Sequence, residues 1–397
     1  MSGAGPIPLE EAFRLLDGAL AGTRLPAQIL PSREAAGRVL AREARSALDL
    51  PPFDKAAVDG YALPAGASGG TYRVVATVAA GQPPPPPLGP GETAHVMTGA
   101  PVPPGTGEVV MQEDTEREGD LVRIRRRGAP NLCLRGEDAR RGDVVCPAGR
   151  RLREVDVANL VSCGVETVEA VRRPRIAALA TGDEIVEDPA RLEPGKIMDA
   201  NGPLLAALCA RWGMDLVMRA RVPDDPGALE RSVREGMAAA EIVVLTGGVS
   251  EGKFDYVPAI LERVGLRTHF TRVACKPGRP MTFASGGGRF VFGLPGNPVS
   301  VFLTFHLYVL RAAARLAGAE PFLRAVALPL GRPFRRRRGD RLEYVPARLS
   351  PEGRVEEVPC HGSAHLLALA GAEGFFSVPR GTLEVAAGAP VEFLQIP

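Results

Sequence analysis

The segment between residues 175 and 317 constrains the fold more than any other part of the chain, because short apolar runs alternate in it with longer stretches of helical spacing. The apolar runs, typical of parallel strands buried on both faces, are 176-IAALA-180, 241-EIVVL-245 and 290-FVFGL-294. The helical stretches lie at 203–213, 227–240, 256–265 and 298–318. This alternation predicts a three-layer α/β domain with helices on both faces of the sheet.

The remainder of the chain predicts two helices and two groups of strands. Residues 8–20 and 154–164 have helical spacing. Strands are predicted before the α/β domain at 71–78, 92–98, 107–113 and 121–126, and after it at 341–349, 354–359, 374–379 and 391–396, with a short helix near 363–370. A length of 397 residues is too great for one ordinary core. We therefore expect a multidomain α/β and β protein with a small C-terminal β-domain.

Composition and charge exclude several classes of partner. The formal charge of +2 gives no support to nucleic acid or an anionic membrane as a partner. The first residues lack the basic and apolar regions of an export signal, and no stretch approaches eighteen uninterrupted apolar residues. These features predict a cytoplasmic protein with no membrane partner.

Cysteine and histidine spacing gives little support to a structural metal. The six cysteines include no C-x-x-C pair, so we expect free and mostly buried thiols. His361 and His365, next to Cys360, have the spacing of metal ligands on a helix face, but no third ligand is apparent nearby. The basic run 335-RRRR-338 is expected to be a solvated connection.

Three glycine-bearing loops follow predicted parallel strands: 180-ATGDE-184, 245-LTGGVSEGKFD-255 and 293-GLPGNPVS-300. Ligands of open α/β sheets bind outside the carboxyl ends of the strands. In the third loop, Asn297 can cap a helix that begins at Pro298, and free N–H groups at such a helix end attract anions. Each loop alone could merely turn the chain. All three at one edge favour a ligand that carries phosphate.

Charged residues near the same edge allow two interpretations. Asp183, Glu184, Asp199, Asp224, Asp225 and Asp255 could supply the one or two carboxylates that hold Mg²⁺ together with ligand phosphates. Several could instead be helix N-caps, especially Asp224 or Asp225 before Pro226. Lys276 and Arg279, in the predicted loop 274-ACKPGRPMTF-283, suit a tetrahedral oxyanion.

These motifs resemble those of molybdopterin molybdenumtransferases, which are related to the C-terminal part of gephyrin. The matching segments occur in the family's order over most of the chain: 51-PPFDKAAVDGYAL-63, 97-MTGAPVPPGTGEVVMQED-114, 181-TGDEI-185, 195-GKIMDANGPLL-205, 246-TGGVSEGKFDYV-257, 276-KPGRP-280 and 293-GLPGNPVS-300. All four lysines of this lysine-poor chain, Lys55, Lys196, Lys253 and Lys276, fall within them.

The resemblance implies an elongated chain of four subdomains and a homodimer whose active site is shared between subunits. The implied boundaries are a helical linker and dimerisation domain at 1–25 plus 147–173, a β-rich second domain at 26–146, an α/β molybdopterin-binding domain at 174–322, and a C-terminal β-barrel-like domain at 323–397. The second domain of one subunit would face the α/β domain of the other. Handover to or from other molybdenum cofactor enzymes is also implied.

The implied reaction inserts molybdate into adenylylated molybdopterin, with Mg²⁺ as cofactor and AMP as product. The catalytic positions carried over are Asp59, Thr98, Glu184 and Asp255. The substrate-binding positions are Gly247, Gly248, Ser250, Lys253, Lys276, Arg279, Asn297, Ser300, Arg341 and Ser363. The metal positions are Asp224, Asp225 and Asp255.

The chain departs from the family's motifs at a few positions. Lys55-Ala56 stand where Asn-Ser is common, Arg279 where Lys is common, and Glu251 where an apolar residue is common. Two alternatives therefore stay open. One is a non-catalytic molybdopterin-binding or scaffold protein. The other is a molybdopterin adenylyltransferase, although that family usually consists of the α/β unit alone.

Overall fold

A computed structural model describes residues 5–248 and 257–396. The chain divides by its internal contacts into two units. One comprises Met1–Gln28, Gly37–Ala41 and Val171–Pro397, and the other comprises Ile29–Ala36 and Arg42–Ala170. The strands Ala27–Pro31 and Thr167–Val171 span the boundaries between them.

The second unit is built on a mixed six-stranded sheet. In spatial order its strands are Thr106–Met111, Gly60–Pro64, Glu92–Val96, Thr71–Val78, Leu121–Ile124 and Thr115–Glu118. Thr71–Val78 and Glu92–Val96 run parallel, and the other neighbours are antiparallel. The smaller elements of this unit are the helix Glu154–Ser162, the 3-10 helices Ser32–Glu34 and Gln112–Asp114, and the paired short strands Ala44–Arg45 with Val144–Cys146 and Lys55–Ala56 with Leu132–Cys133. The strands predicted here from sequence are confirmed within two residues.

The first unit contains the predicted α/β sheet. Its six strands, in spatial order, are Asp215–Val222, Arg175–Thr181, Ile242–Thr246, Arg289–Leu294, Pro280–Gly286 and Arg267–Arg272. The first four are parallel and the last two are antiparallel to their neighbours. The helices of this part are Leu9–Leu20, Asn201–Trp212, Pro226–Ala239, Val257–Arg263 and Pro298–Leu316. The remaining elements are the 3-10 helix Pro189–Arg191 and the paired strands Ile185–Val186 and Ile197–Met198.

Residues of the central strand alternate between two apolar cores, which confirms three layers. Ile242 and Val244 face one core, together with the helices Asn201–Trp212 and Pro298–Leu316. Val243 and Leu245 face the other core, which includes residues of the helix Pro226–Ala239. A strand buried on both faces is apolar at nearly every position, so the run 242-IVVL-245 reflects its central place in the sheet.

The helix Leu9–Leu20 packs against this α/β sheet. Its buried residues Leu9, Leu16 and Leu20 recur every three to four positions and join the first core. Phe13 is half-buried and lies 5.8 Å from the ring of Tyr308 in the helix Pro298–Leu316. The grouping of residues 1–25 with 147–173 implied by the resemblance stays a prediction.

The helix Pro298–Leu316 is long and apolar enough to cross a membrane by length and composition, but 83% of the apolar window is buried inside the protein. It contains a π-helical segment, Phe305–Val309, whose residues are all buried. A buried core helix of a water-soluble domain has this composition, because it contacts apolar side chains around its whole circumference.

A smaller sheet completes this unit. Its strands are Cys275–Lys276, Leu342–Leu349, Gly374–Val378, Pro390–Gln395 and Ala325–Pro329, with Val355–Glu357 paired to Leu342–Leu349. The short strands Phe334–Arg335 and Glu384–Val385 pair beside it, and the 3-10 helix Leu366–Gly371 replaces the predicted helix near 363–370. The buried rings of Phe334, Phe376 and Phe393 lie in its core. The predicted C-terminal β-domain is confirmed.

Candidate functional site

The three predicted glycine loops meet at the carboxyl edge of the parallel strands. Gly247 donates its N–H to the carbonyl of Leu294 at 3.3 Å. It has φ +87°, and a Cβ there would lie 2.5 Å from the carbonyl oxygen of Thr181 and near Gly296. A side chain is therefore excluded at Gly247 by both backbone conformation and space. Gly248, with φ +65°, continues the same turn.

Part of the predicted site lies outside the described residues. Ser250, Glu251, Lys253 and Asp255 belong to the segment 249–256. Their predicted roles remain predictions.

The carboxylates at the edge separate into two kinds. Asp183 and Asp224 each accept from the other's backbone N–H, at 3.3 and 3.4 Å, so their side chains lie together. Asp225 instead caps the helix Pro226–Ala239, accepting from Ala228 N at 2.7 Å. Asp199 accepts from Gly202 N at 2.8 Å, at the start of the helix Asn201–Trp212. Of the two residues proposed as caps before Pro226, the structure selects Asp225.

Asp183 and Asp224 are two exposed carboxylates that could hold a hard divalent cation. Within residues 5–248 and 257–396 no group of three His, Cys, Asp or Glu side chains converges. Two carboxylates nevertheless suffice for Mg²⁺ when ligand phosphates and water complete its coordination. Exposed Glu184 lies beside them, with its carboxylate over Gly182.

Asn297 is at the predicted N-cap position, but its side chain does something else. It makes no capping hydrogen bond to the helix Pro298–Leu316. Its Nδ2 donates to Oγ of Ser363 at 2.7 Å, and Val299 N donates to the carbonyl of Ser363 at 3.0 Å. The prediction of a side-chain cap is wrong, and the amide instead joins the α/β part to the C-terminal β-domain.

Five of the predicted substrate-binding residues line one cleft between the α/β part and the C-terminal β-domain. They are Lys276, Arg279, Ser300, Arg341 and Ser363. The cleft has a volume of about 360 Å³, and Asn297 also lines it. The predicted loop around Lys276 is shorter than expected, because Cys275–Lys276 and Pro280–Gly286 are strands.

Further residues of this cleft that the sequence did not identify include Phe334, Glu343, Tyr344 and Glu357. Glu343 is the closest to the cations. Lys276 pairs with it in a parallel two-residue ladder, and the Lys276 Nζ lies 2.6 Å from Glu343 Oε1. The predicted strand 341–349 includes Glu343. Its pairing with Lys276, which lies 67 positions earlier, cannot be recognised from the local sequence.

One arginine of the run 335-RRRR-338 is buried. The prediction that the run is a solvated connection is therefore wrong for Arg336. The Arg336 side chain is 5% exposed and lies 3.2 Å from Glu343 Oε2. Arg335, Arg337 and Arg338 are exposed and line a second cleft, of about 360 Å³, that also includes Lys276 and Glu343.

Asp59 and Thr98 meet within the other unit. Asp59 Oδ1 accepts from Thr98 N at 2.6 Å and from Thr98 Oγ1 at 2.7 Å. The backbone hydrogen bond, followed by the hydroxyl, lowers the pKa of Asp59 and favours the carboxylate. The two residues therefore form one hydrogen-bonded group, in which Thr98 is exposed and Asp59 is half-buried.

His361 and His365 do not lie on a helix face, contrary to the prediction. His361 and His365 precede the 3-10 helix Leu366–Gly371, their rings stack at 4.9 Å, and His361 N donates to His365 Nδ1. His306 is buried, which lowers its pKa to about 4, and its Nε2 accepts from Trp212. Four of the six cysteines are buried and all are free, as expected.

Sequence families match nearly the whole chain in three consecutive pieces. The MoeA N-terminal region (domain I and II) matches residues 7–164, the probable molybdopterin binding domain matches 177–317, and the MoeA C-terminal region (domain IV) matches 327–396. The two MoeA regions flank the α/β domain, so the chain has more than the unit expected of an adenylyltransferase.

Curated relatives and a solved structure agree with these matches. The molybdopterin molybdenumtransferase of Staphylococcus aureus (strain Mu50 / ATCC 700699) is 32% identical over 402 residues, covering 98% of this chain and 95% of the relative. That of Staphylococcus epidermidis (strain ATCC 35984) is 32% identical over 91% of this chain and 89% of the relative. The molybdopterin biosynthesis MoeA protein of Pyrococcus horikoshii OT3 has a TM-score of 0.83 at 29% identity, covering 99% of this chain and 100% of that one. The chain therefore belongs to the molybdopterin molybdenumtransferase family and is an enzyme with a role in molybdenum cofactor biosynthesis.

Proposed function

We propose that this enzyme inserts molybdate into adenylylated molybdopterin and releases AMP in a Mg²⁺-dependent reaction. The observation that carries the proposal is the cleft in which Lys276, Arg279 and Arg341 meet the hydroxyls of Ser300 and Ser363. A tetrahedral dianion needs several positive charges and donors converging from different directions, and this cleft supplies them from two domains.

The two arginines and the lysine have different tasks in this proposal. Arg279 and Arg341 offer planar forks that bind two oxygens of one oxyanion, whereas Lys276 offers a point charge on a movable stem. Asn297 is a positioning residue, since its amide holds Ser363 Oγ at 2.7 Å. Holding molybdate still beside the pterin would lower the entropy cost of transfer.

The glycine loops suit the phosphate-bearing substrate. Gly247 and Gly248 are half-buried at the carboxyl edge and carry no side chain, so a bulky anion can approach their backbone closely. The helix Pro298–Leu316 begins at the same edge, and the positive end of its dipole favours a bound anion there. Ser250 and Lys253 follow these glycines in the sequence and are proposed to contact the same ligand.

Mg²⁺ would be held by Asp224, with Asp255 and with Asp183 as an added ligand. When bound, the cation would neutralise phosphate charge and polarise the phosphoanhydride. Asp225 is the weakest of the proposed metal ligands, because its carboxylate already caps a helix. Glu184, beside these carboxylates, is proposed to orient the substrate.

Asp59 and Thr98 are proposed to act across a homodimer, from the second domain of one subunit toward the α/β domain of the other. The domain boundaries expected from the family belong to the same proposal, as does a cytoplasmic location. Handover of substrate or product to other molybdenum cofactor enzymes would follow, since the product is a reactive metal dithiolene.

The test is AMP release from adenylylated molybdopterin as a function of molybdate concentration. Lys276→Ala should raise the concentration needed for half-maximal release about tenfold or more, because it removes a charged donor. Arg348→Ala removes an exposed cation from the neighbouring strand and is the matched control, since Arg348 pairs with Glu356 away from the cleft. A change in pterin affinity alone would contradict the oxyanion assignment. Failure to rescue a transferase-null strain at low molybdate would contradict the activity.

A further inference from the structure

Two carboxylates, Glu343 and Glu357, line the oxyanion cleft, and Glu343 forms ion pairs with two cations there. Its Oε1 lies 2.6 Å from Lys276 Nζ, and its Oε2 lies 3.2 Å from Arg336 Nη1. The side chains of Glu343 and Arg336 are 12% and 5% exposed, so the contact between them is sheltered from water. It lines both the oxyanion cleft and the adjoining arginine-lined cleft.

The two cations bound to Glu343 differ in freedom to move. Arg336 is 5% exposed and donates to the carbonyls of Thr382 at 2.7 Å and Arg341 at 3.0 Å, so its guanidinium is fixed. The Lys276 side chain is 55% exposed on a flexible four-carbon stem. An incoming anion can therefore draw Lys276 away, while Glu343 stays neutralised by Arg336.

We propose that Glu343 is an internal counter-ion that determines which anions enter the cleft. In the absence of ligand it neutralises Lys276 at 2.6 Å. A tetrahedral dianion gains enough attraction from Lys276, Arg279 and Arg341 to take the ammonium from Glu343. A monoanion gains about half as much and cannot compensate for the lost ion pair. Glu343 is thus a positioning residue that acts through Lys276.

This inference rests on the proposed oxyanion site. It predicts that Glu343→Gln tightens molybdate binding, although the substitution removes a contact. Glutamine retains hydrogen-bonding oxygen for Arg336 but no longer neutralises Lys276. From the strength of partly exposed ion pairs we expect molybdate and sulfate to bind roughly fivefold tighter, with a larger gain for the monoanion perchlorate.

The experiment is calorimetric titration of the full-length protein with molybdate, sulfate and perchlorate. Glu356→Gln is the matched control, because Glu356 also pairs with an arginine in this sheet but does not line the cleft. Its anion affinities should equal those of the wild type. In the Lys276→Ala background, Glu343→Gln should lose most of its effect, a coupling that a purely structural role would not produce.

The outcomes separate this inference from the proposed function. If Lys276→Ala leaves molybdate affinity unchanged, the oxyanion site itself is wrong. If Lys276→Ala weakens binding while Glu343→Gln leaves it unchanged or weaker, the site stands and the counter-ion role is refuted.

Should Glu343→Gln fail to fold, Glu343→Asp provides the test, since it keeps the charge beside Arg336 but loses reach to Lys276. We expect an intermediate gain in affinity, and no gain would refute the proposal.

Discussion

Replacing Glu241 by glutamine should destabilise the α/β domain without altering the cleft. The Glu241 side chain is 8% exposed and lies directly before the central strand Ile242–Thr246. Its carboxylate accepts from Arg175 Nη2 at 2.7 Å and Arg175 N at 3.0 Å, and pairs with Arg172 at 3.0 Å. These bonds hold together the beginnings of the neighbouring strands Arg175–Thr181 and Ile242–Thr246, at the edge of the sheet opposite the candidate site.

The pKa of Glu241 gives the size of the effect. Burial alone would raise this pKa, but the hydrogen bonds from Arg175 and Arg172 outweigh burial and lower it from 4.5 to about 2. Since one pKa unit corresponds to about 1.4 kcal/mol, ionisation of Glu241 stabilises the folded state by roughly 3 kcal/mol. Glutamine retains some hydrogen bonds and loses the charge, so Glu241→Gln should cost about 2 to 3 kcal/mol at neutral pH.

The same pKa fixes the pH dependence. A depressed carboxyl pKa contributes stability that is fully present above the unfolded-state value of 4.5 and is lost as pH falls toward about 2. The difference between wild type and Glu241→Gln should therefore shrink across this interval. Above it the difference should be constant.

The assay is urea unfolding of the full chain, followed by fluorescence of the single tryptophan, Trp212, which is buried in this unit. Glu230→Gln is the matched control. Glu230 also contacts two arginines, Arg234 at 2.9 Å and Arg263 at 3.1 Å, but it is 27% exposed and should cost less than about 1 kcal/mol. Equal losses in both variants, or a Glu241 effect independent of pH, would refute the reasoning.

Three further predictions concern the site. Gly247→Ala should lower the thermal midpoint and abolish pterin binding in calorimetry, because a Cβ there would lie 2.5 Å from the Thr181 carbonyl. Asp225→Ala should lose about 1 kcal/mol in urea unfolding through its missing cap, while Asp224→Ala should instead raise the Mg²⁺ concentration needed for AMP release. Ser363→Ala should weaken molybdate binding about threefold to tenfold with an unchanged melting temperature, and a loss of stability alone would contradict its role as a ligand.

The sequence predicted elements whose residues are buried on a regular period. The helices near Pro226–Ala239 and Pro298–Leu316 and the strand near Ile242–Thr246 were found within two residues, because their apolar spacing is imposed by the two cores. The edge strand Asp215–Val222 was missed. Its side chains alternate between exposed and half-buried, so the polar residues of 215-DLVMRARV-222 obscure the strand pattern.

The sequence predicted which residues belong to the site, but not how they contact one another. Lys276, Arg341 and Ser363 were named from motifs, and the structure brings them into one cleft. Local sequence could not reveal that Glu343 opposes Lys276 or that Arg336 is buried. Both facts depend on strand register and on the docking of two domains, which are long-range properties.

The bond between Asn297 and Ser363 has an evolutionary consequence. The cleft is built half from the α/β domain and half from the C-terminal β-domain, and the ladder between Lys276 and Glu343 crosses the same border. Neither half can change its charge pattern independently. A chimera that takes its C-terminal domain from a relative should work only when the residues at 276, 279 and 297 come from the same donor, so the two domains have to be inherited as a matched pair.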